Sequence, residues 1–152
     1  MWLIIGYGNL LRGDDGAGSL LAEQLRQLLP ADGARVLPVH QLTPELALEI
    51  AAPGIDRLLF LDARRGQWEP LILTPLNPAA AAGSCGHQLS PELLLHLAAS
   101  LYGQAPPAWL LTLAAGNLKL GDPLSPVTTA ALPFALQRIL GLIAALDSQN
   151  IG

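Results

Sequence analysis

Short apolar runs alternate along the chain with longer stretches in which leucine recurs every three or four residues. Trp2 to Gly6 is a short apolar run closed by glycine and predicts a buried strand. Asp15 to Leu29 carries Leu20, Leu21, Leu25, Leu28 and Leu29 on one helical face and stops before Pro30, so it predicts an amphipathic helix. Arg35 to Val39 and Arg57 to Asp62 predict two more strands. The unbroken run Leu58-Leu59-Phe60-Leu61 suits a strand covered on both faces of a parallel sheet. Leu71 to Thr74 and Ala108 to Ala114 are further strand candidates.

Three helices share a start signal. Thr43-Pro44-Glu45, Ser90-Pro91-Glu92 and Ser125-Pro126-Val127 each place a hydroxyl before proline. The hydroxyl can accept a hydrogen bond from a free first-turn N–H, and proline in that turn gives up a donor that has no helical partner anyway. In the first two, the glutamate also favours the positive end of the helix dipole. These helices are expected to run to about Ala52, Tyr102 and Leu146. Alternating strands and helices imply a single three-layer α/β/α domain, residues 1–152, with a twisted, mostly parallel sheet. No repeat, linker or composition break divides the chain. Asn77 to Gly86, rich in alanine and glycine, reads as an irregular surface loop.

Composition narrows the function classes. The chain has 152 residues, 51% hydrophobic and only 13% charged, which supports a buried core rather than disorder. Its most apolar stretch, Leu132 to Leu146, contains Pro133, Gln137 and Arg138, so no membrane span is expected. The N-terminus lacks the basic region and the long apolar run of a signal peptide, so a cytoplasmic protein is expected. The single cysteine, Cys85, excludes an intrachain disulfide. A net charge of −4 with no basic run longer than Arg64-Arg65 argues against nucleic acid as a partner. The small size and the lack of a helical seam point to a monomer.

The sharpest local signal is Gly6-Tyr7-Gly8-Asn9-Leu10-Leu11-Arg12-Gly13-Asp14-Asp15-Gly16-Ala17-Gly18, between the first strand and the first helix. Glycines there are also found in dinucleotide-binding loops. Here Leu11 replaces the third glycine of that pattern, and Asp14 and Asp15 stand where a phosphate would sit. Helix capping by Asp14 accounts for one acid, and a carboxylate in the first turn accounts for a second. Neither accounts for Asp62, which ends the third strand. In parallel sheets ligands bind outside the carboxyl ends of strands. Asp15 and Asp62 are expected on that edge, and His87, just before the helix starting at Ser90, is a candidate to reach it. Two carboxylates and an imidazole would balance a divalent ion and leave positions open for water or substrate. A loop hydrogen-bonding role for His87 stays open beside this one.

These residues resemble the hydrogenase maturation endopeptidases, which open with a strand and then G-[IVY]-G-N-x-L-x-x-D-[DE]-x-x-G. Residues 6–18 fit that pattern throughout, Asp62-Ala63 matches the family's strand-ending pair, and His87-Gln88-Leu89 matches its histidine before a helix. Thr43-Pro44-Glu45-Leu46 is similar to the family's helix start after the second strand. The resemblance runs through nearly the whole chain, in order and in length. It implies a twisted sheet between helices, with Asp15, Asp62 and His87 as both the metal-binding trio and the catalytic residues. The implied activity is removal of the C-terminal extension from a nickel–iron hydrogenase large-subunit precursor after nickel insertion. The implied nickel is supplied by that precursor rather than held permanently. Nickel polarising the scissile carbonyl and nickel merely positioning the tail are both compatible with the trio. Gly116 to Pro123 departs from the family's short glycine–glutamate–proline loop. A non-catalytic nickel-sensing assembly factor and a nucleotide- or anion-binding module are the alternative functions.

Five further residues are candidates for a role. Cys85 is a nickel thiolate or an ordinary loop thiol. His40 is a substrate contact or a turn residue. His96, mid-helix among leucines, reads as structural. Arg64 and Arg65 touch the precursor or are a solvated pair.

Overall fold

The computed structural model describes residues 1–78, 89–116 and 119–149. Its strands are β1 (Trp2–Tyr7), β2 (Ala34–Val39), β3 (Arg57–Arg65), β4 (Leu71–Pro75) and β5 (Ala108–Ala115). Its helices are α1 (Ala17–Leu28), α2 (Leu46–Ile50), α3 (Pro91–Tyr102) and α4 (Pro126–Gln149), with a 3-10 turn at Gly13–Gly16. The five strands form one sheet in the order β2-β1-β3-β5-β4. All neighbours are parallel except β4, which runs antiparallel to β5 at the edge. The mostly parallel α/β architecture expected from the apolar pattern is therefore present.

Strand periodicity divides the core into two layers. Trp2, Ile4, Leu59, Leu61, Leu111 and Leu113 face α1 and α4, meeting Leu21, Leu25, Leu132 and Ile139. Leu3, Ile5, Leu58, Phe60 and Leu110 face α2 and α3, meeting Ile50, Leu94, Leu95 and Ala98. Leu58 to Leu61 are all fully buried, as an unbroken apolar run in a central strand requires. Close approach of α1 to the sheet depends on two glycines. A Cβ on Gly6 would overlap the Gly18 carbonyl, and one on Gly18 would overlap the Leu61 carbonyl.

Three helix boundaries differ from the sequence expectation. α1 starts at Ala17 rather than Asp15, because the acids are used in the turn before it. α2 is confined to Leu46–Ile50, and no side chain caps the helix. Ser90 and Ser125 do cap their helices as expected, accepting from Leu93 N at 3.1 Å and Thr128 N at 3.3 Å. α4 runs on to Gln149 through the exposed Pro133. It is 24 residues long and contains an 18-residue window of mean hydropathy 1.6, so by length and composition it could cross a membrane, unlike the shorter stretch weighed from sequence. One stripe of it, Thr128, Ala131, Leu132, Ala135 and Ile139, is packed into the core.

Candidate active site

The carboxyl ends of β1 and β3 carry the first pair of functional groups. Gly6 pairs with Leu61, so Tyr7 and Asp62 follow side by side, and both point to the α2/α3 face of the sheet. Tyr7 Oη donates to Asp62 Oδ2 at 3.0 Å, and the Ala63 N–H donates to Asp62 Oδ1 at 2.7 Å. The Tyr7 ring is steadied edge-on against Phe60, 6.5 Å between centroids. Burial raises the Asp62 carboxyl above its ordinary value, and the charge of Asp15 adds to the rise. The Tyr7 hydroxyl, the Ala63 N–H and Arg64 oppose it. Burial also raises Tyr7, and the neighbouring Asp62 charge raises it further, so its hydroxyl stays a donor.

The glycine loop brings Asp15 to the same place. Gly8 adopts φ +143°, which suits glycine alone, and a Cβ there would overlap the Asp15 carbonyl. Asp15 Oδ2 accepts from the Asn9 N–H at 2.8 Å, while Asn9 Oδ1 accepts from the Leu11 N–H at 2.9 Å. The Arg12 N–H goes to the Asn9 carbonyl and the Asp15 N–H to the Arg12 carbonyl. Donors that a phosphate-binding loop would aim at its ligand are thus used within the loop itself.

Asp14 is not a helix cap. It is fully buried and accepts from Gly116 N at 2.6 Å, Ser125 N at 2.7 Å and Ser125 Oγ at 2.7 Å. It thereby clamps the glycine loop to the β5–α4 connection. The two consecutive acids divide their work: Asp14 ties loops together inside, and Asp15 lines the cavity outside.

Asp15 and Asp62 line one open cavity of about 740 Å³, together with Tyr7, Asn9, Arg12 and His40. Leu89, at the approach to α3, lines it too. His87 and Cys85 lie outside the described residues, as does most of the Asn77–Gly86 stretch. Among the described residues no group of three histidine, cysteine, aspartate or glutamate side chains is placed to hold a metal. What the described part supplies is two carboxylates facing a common space, one of them raised by burial and by its neighbour. Such a pair favours arrival of a proton or a cation.

His40 reaches the cavity rim from the end of β2. His96 is exposed on α3, its Nε2 3.4 Å from Ser100 Oγ, and lies away from the cavity lining. Arg64 is exposed and acts on Tyr7 and Asp62 through its charge. Sequence reasoning missed Tyr7 and Asn9 as partners of the acids. Both sit in the glycine motif, but only the folded loop shows what their polar atoms meet.

Several solved structures share this architecture. HycI from Thermococcus kodakarensis, a NiFe hydrogenase maturation protease, superposes with a TM-score of 0.76 at 23% identity, covering 94% of this chain and 92% of that one. HybD from Escherichia coli, a hydrogenase maturating endopeptidase, gives 0.67 at 24% identity over 95% and 92%. A hydrogenase 2 maturation peptidase from a thaumarchaeote gives 0.69 at 24% identity over 94% and 97%. The chain has the hydrogenase maturation protease fold. No family model and no curated protein matches its sequence.

Proposed function

We propose that the chain is a hydrogenase maturation endopeptidase. It hydrolyses the peptide bond that releases the C-terminal extension of a nickel–iron hydrogenase large-subunit precursor after nickel insertion. The observation that carries this reading is the convergence of Asp15 and Asp62 on one open cavity within that fold. His87, two residues before the cavity-lining Leu89 in sequence, completes the proposed trio. The nickel belongs to the substrate, and the trio supplies two oxygens and a nitrogen to it.

Peptide hydrolysis needs a water oxygen to attack the carbonyl carbon, a base to take the water proton, and a proton for the departing nitrogen. A carboxylate with a raised proton affinity suits both proton steps, and Asp62 is such a group. Tyr7 and the Ala63 N–H hold that carboxylate in a fixed orientation. In one version the substrate nickel polarises the scissile carbonyl. In the other it only positions the tail, and the carboxylate-activated water does the rest.

The test mixes the protein with nickel-loaded and nickel-free precursor and follows intact mass. Loss of a C-terminal fragment from the nickel-loaded form alone supports the peptidase and its nickel requirement together. Asp15→Ala and His87→Ala should fold normally and leave the precursor uncut. Full processing by a folded His87→Ala protein would remove His87 from the site. Binding of the nickel-loaded precursor without cleavage would favour a nickel-sensing assembly factor instead.

A further inference from the structure

A second cavity of about 400 Å³ opens beside the acid site, between α1 and the end of β2. Gly8, Asn9 and His40 line both cavities, so the two adjoin across the glycine loop. The other walls of the second are largely apolar: Leu10, Leu11, Leu20, Pro38 and Val39. Leu10 and Leu11 remain 62% and 68% exposed. Leu120, 74% exposed, stands next to them, because the Gly121 N–H donates to the Leu11 carbonyl at 2.7 Å.

These leucines sit on a rigid frame. Leu11 N is held by the Asn9 side chain, and the Leu10 backbone lies so close to Gly16 that a Cβ there would stand 2.6 Å from the Leu10 Cα. Beneath them the buried Asp14 locks the two loops together. One exposed leucine on a surface is ordinary. Here Leu10 and Leu11 line a cavity that adjoins the acid site, and Leu120 lies on the loop clamped beside them, so the three make a preorganised apolar surface.

We propose that this cavity and its leucine rim are a subsite for an apolar side chain of the precursor, carried on an extended segment flanking the bond to be cut. The proposal rests on the peptidase reading. Continuity with the acid site selects the occupant. An extended chain advances about 3.3 Å per residue, so a peptide crossing Gly8 and Asn9 from the acids places a side chain here within a few residues of the scissile bond. Glu23 on the wall is paired with Arg26, so the apolar leucines set the character of the cavity.

The test is a Leu10→Asp/Leu11→Asp double variant, with Leu101→Asp as control. Leu101 is 65% exposed at the far end of α3, on the opposite edge of the sheet. Processing of nickel-loaded precursor should show KM raised about tenfold or more in the double variant, kcat within about twofold, and the control unchanged. Melting temperatures of all three proteins should agree. An unchanged KM in the double variant overturns the subsite. So does a wild-type dimer in sedimentation that the double variant disperses, because a second copy would then be the occupant. If wild type holds immobilised precursor without cutting it and the double variant loses it, the leucine surface binds precursor, but the peptidase reading falls and takes with it the placement beside a scissile bond. If wild type neither cuts nor holds precursor, both fall.

Discussion

Replacing Asp14 by asparagine changes one oxygen to NH₂ in a fully buried side chain. The Gly116 N–H approaches Oδ2 and the Ser125 N–H approaches Oδ1, at 2.6 and 2.7 Å. Ser125 Oγ can turn its proton away and accept, but a backbone N–H cannot. Whichever way the amide is flipped, one backbone donor faces another donor. A hydrogen bond to a charged group contributes about 1.5–3 kcal/mol, and a buried donor left unmet costs about 1–3 kcal/mol. Asp14→Asn should therefore lose roughly 2–3 kcal/mol of a total near 5–15 kcal/mol. For a domain of this size that is a fall in melting temperature of about 5–10 °C. Asp14→Ala, which leaves the Gly116 N–H, the Ser125 N–H and the Ser125 hydroxyl without this acceptor, should lose more. The assay is urea unfolding alongside thermal melting, with Asp15→Asn as the comparison, since Asp15 holds the loop through the Asn9 N–H. An Asp14→Asn protein melting within about 1 °C of wild type would refute the clamp. Equal losses from the two substitutions would refute the division of labour between the acids.

Three further outcomes follow from the same geometry. Because Asp62 is raised by burial and by Asp15, the folded state binds its proton more readily than the unfolded state. The contribution of Asp62 to stability therefore falls as pH rises through the carboxylate range, and Asp62→Asn removes that contribution. In chelator, the melting temperature of Asp62→Asn relative to wild type should climb between about pH 4 and pH 7; a declining difference contradicts the assignment. Tyr7→Phe removes the donor at 3.0 Å from Asp62 Oδ2, so a carbon-13 carboxyl titration should find Asp62 moved further up, with about 1 kcal/mol of stability lost. No movement would mean the hydroxyl does not act on that carboxylate. Gly18→Ala should cost about 3 kcal/mol by pushing α1 off the Leu61 and Tyr7 carbonyls, while Gly141→Ala, with open space around it on α4, should gain about 0.5–1 kcal/mol. Urea midpoints moving in the same direction for both would argue against this helix–sheet packing.

The pattern of apolar positions was enough to place the layers. Leu58 to Leu61 can all be buried only in a strand covered on both faces, and the leucines of α1 line one side of a helix. The parallel sheet in turn puts the ends of β1 and β3 on one edge, so Asp15 and Asp62 were legible as neighbours before any coordinates. Apolar periodicity records exposure along a segment, and that information is local. The roles of the polar groups were decided elsewhere. Asp14 looks like a cap in sequence because its partners, Gly116 and Ser125, are more than 100 residues away. Tyr7 reads as one more strand residue until β3 lies beside β1 and brings Asp62 to its hydroxyl. The antiparallel turn of β4 and the continuation of α4 to Gln149 likewise depend on what each segment packs against. Hydrogen-bond partners far apart in the chain leave no periodic trace, so only the tertiary structure separated the acid that holds the loops from the acids that face the cavity.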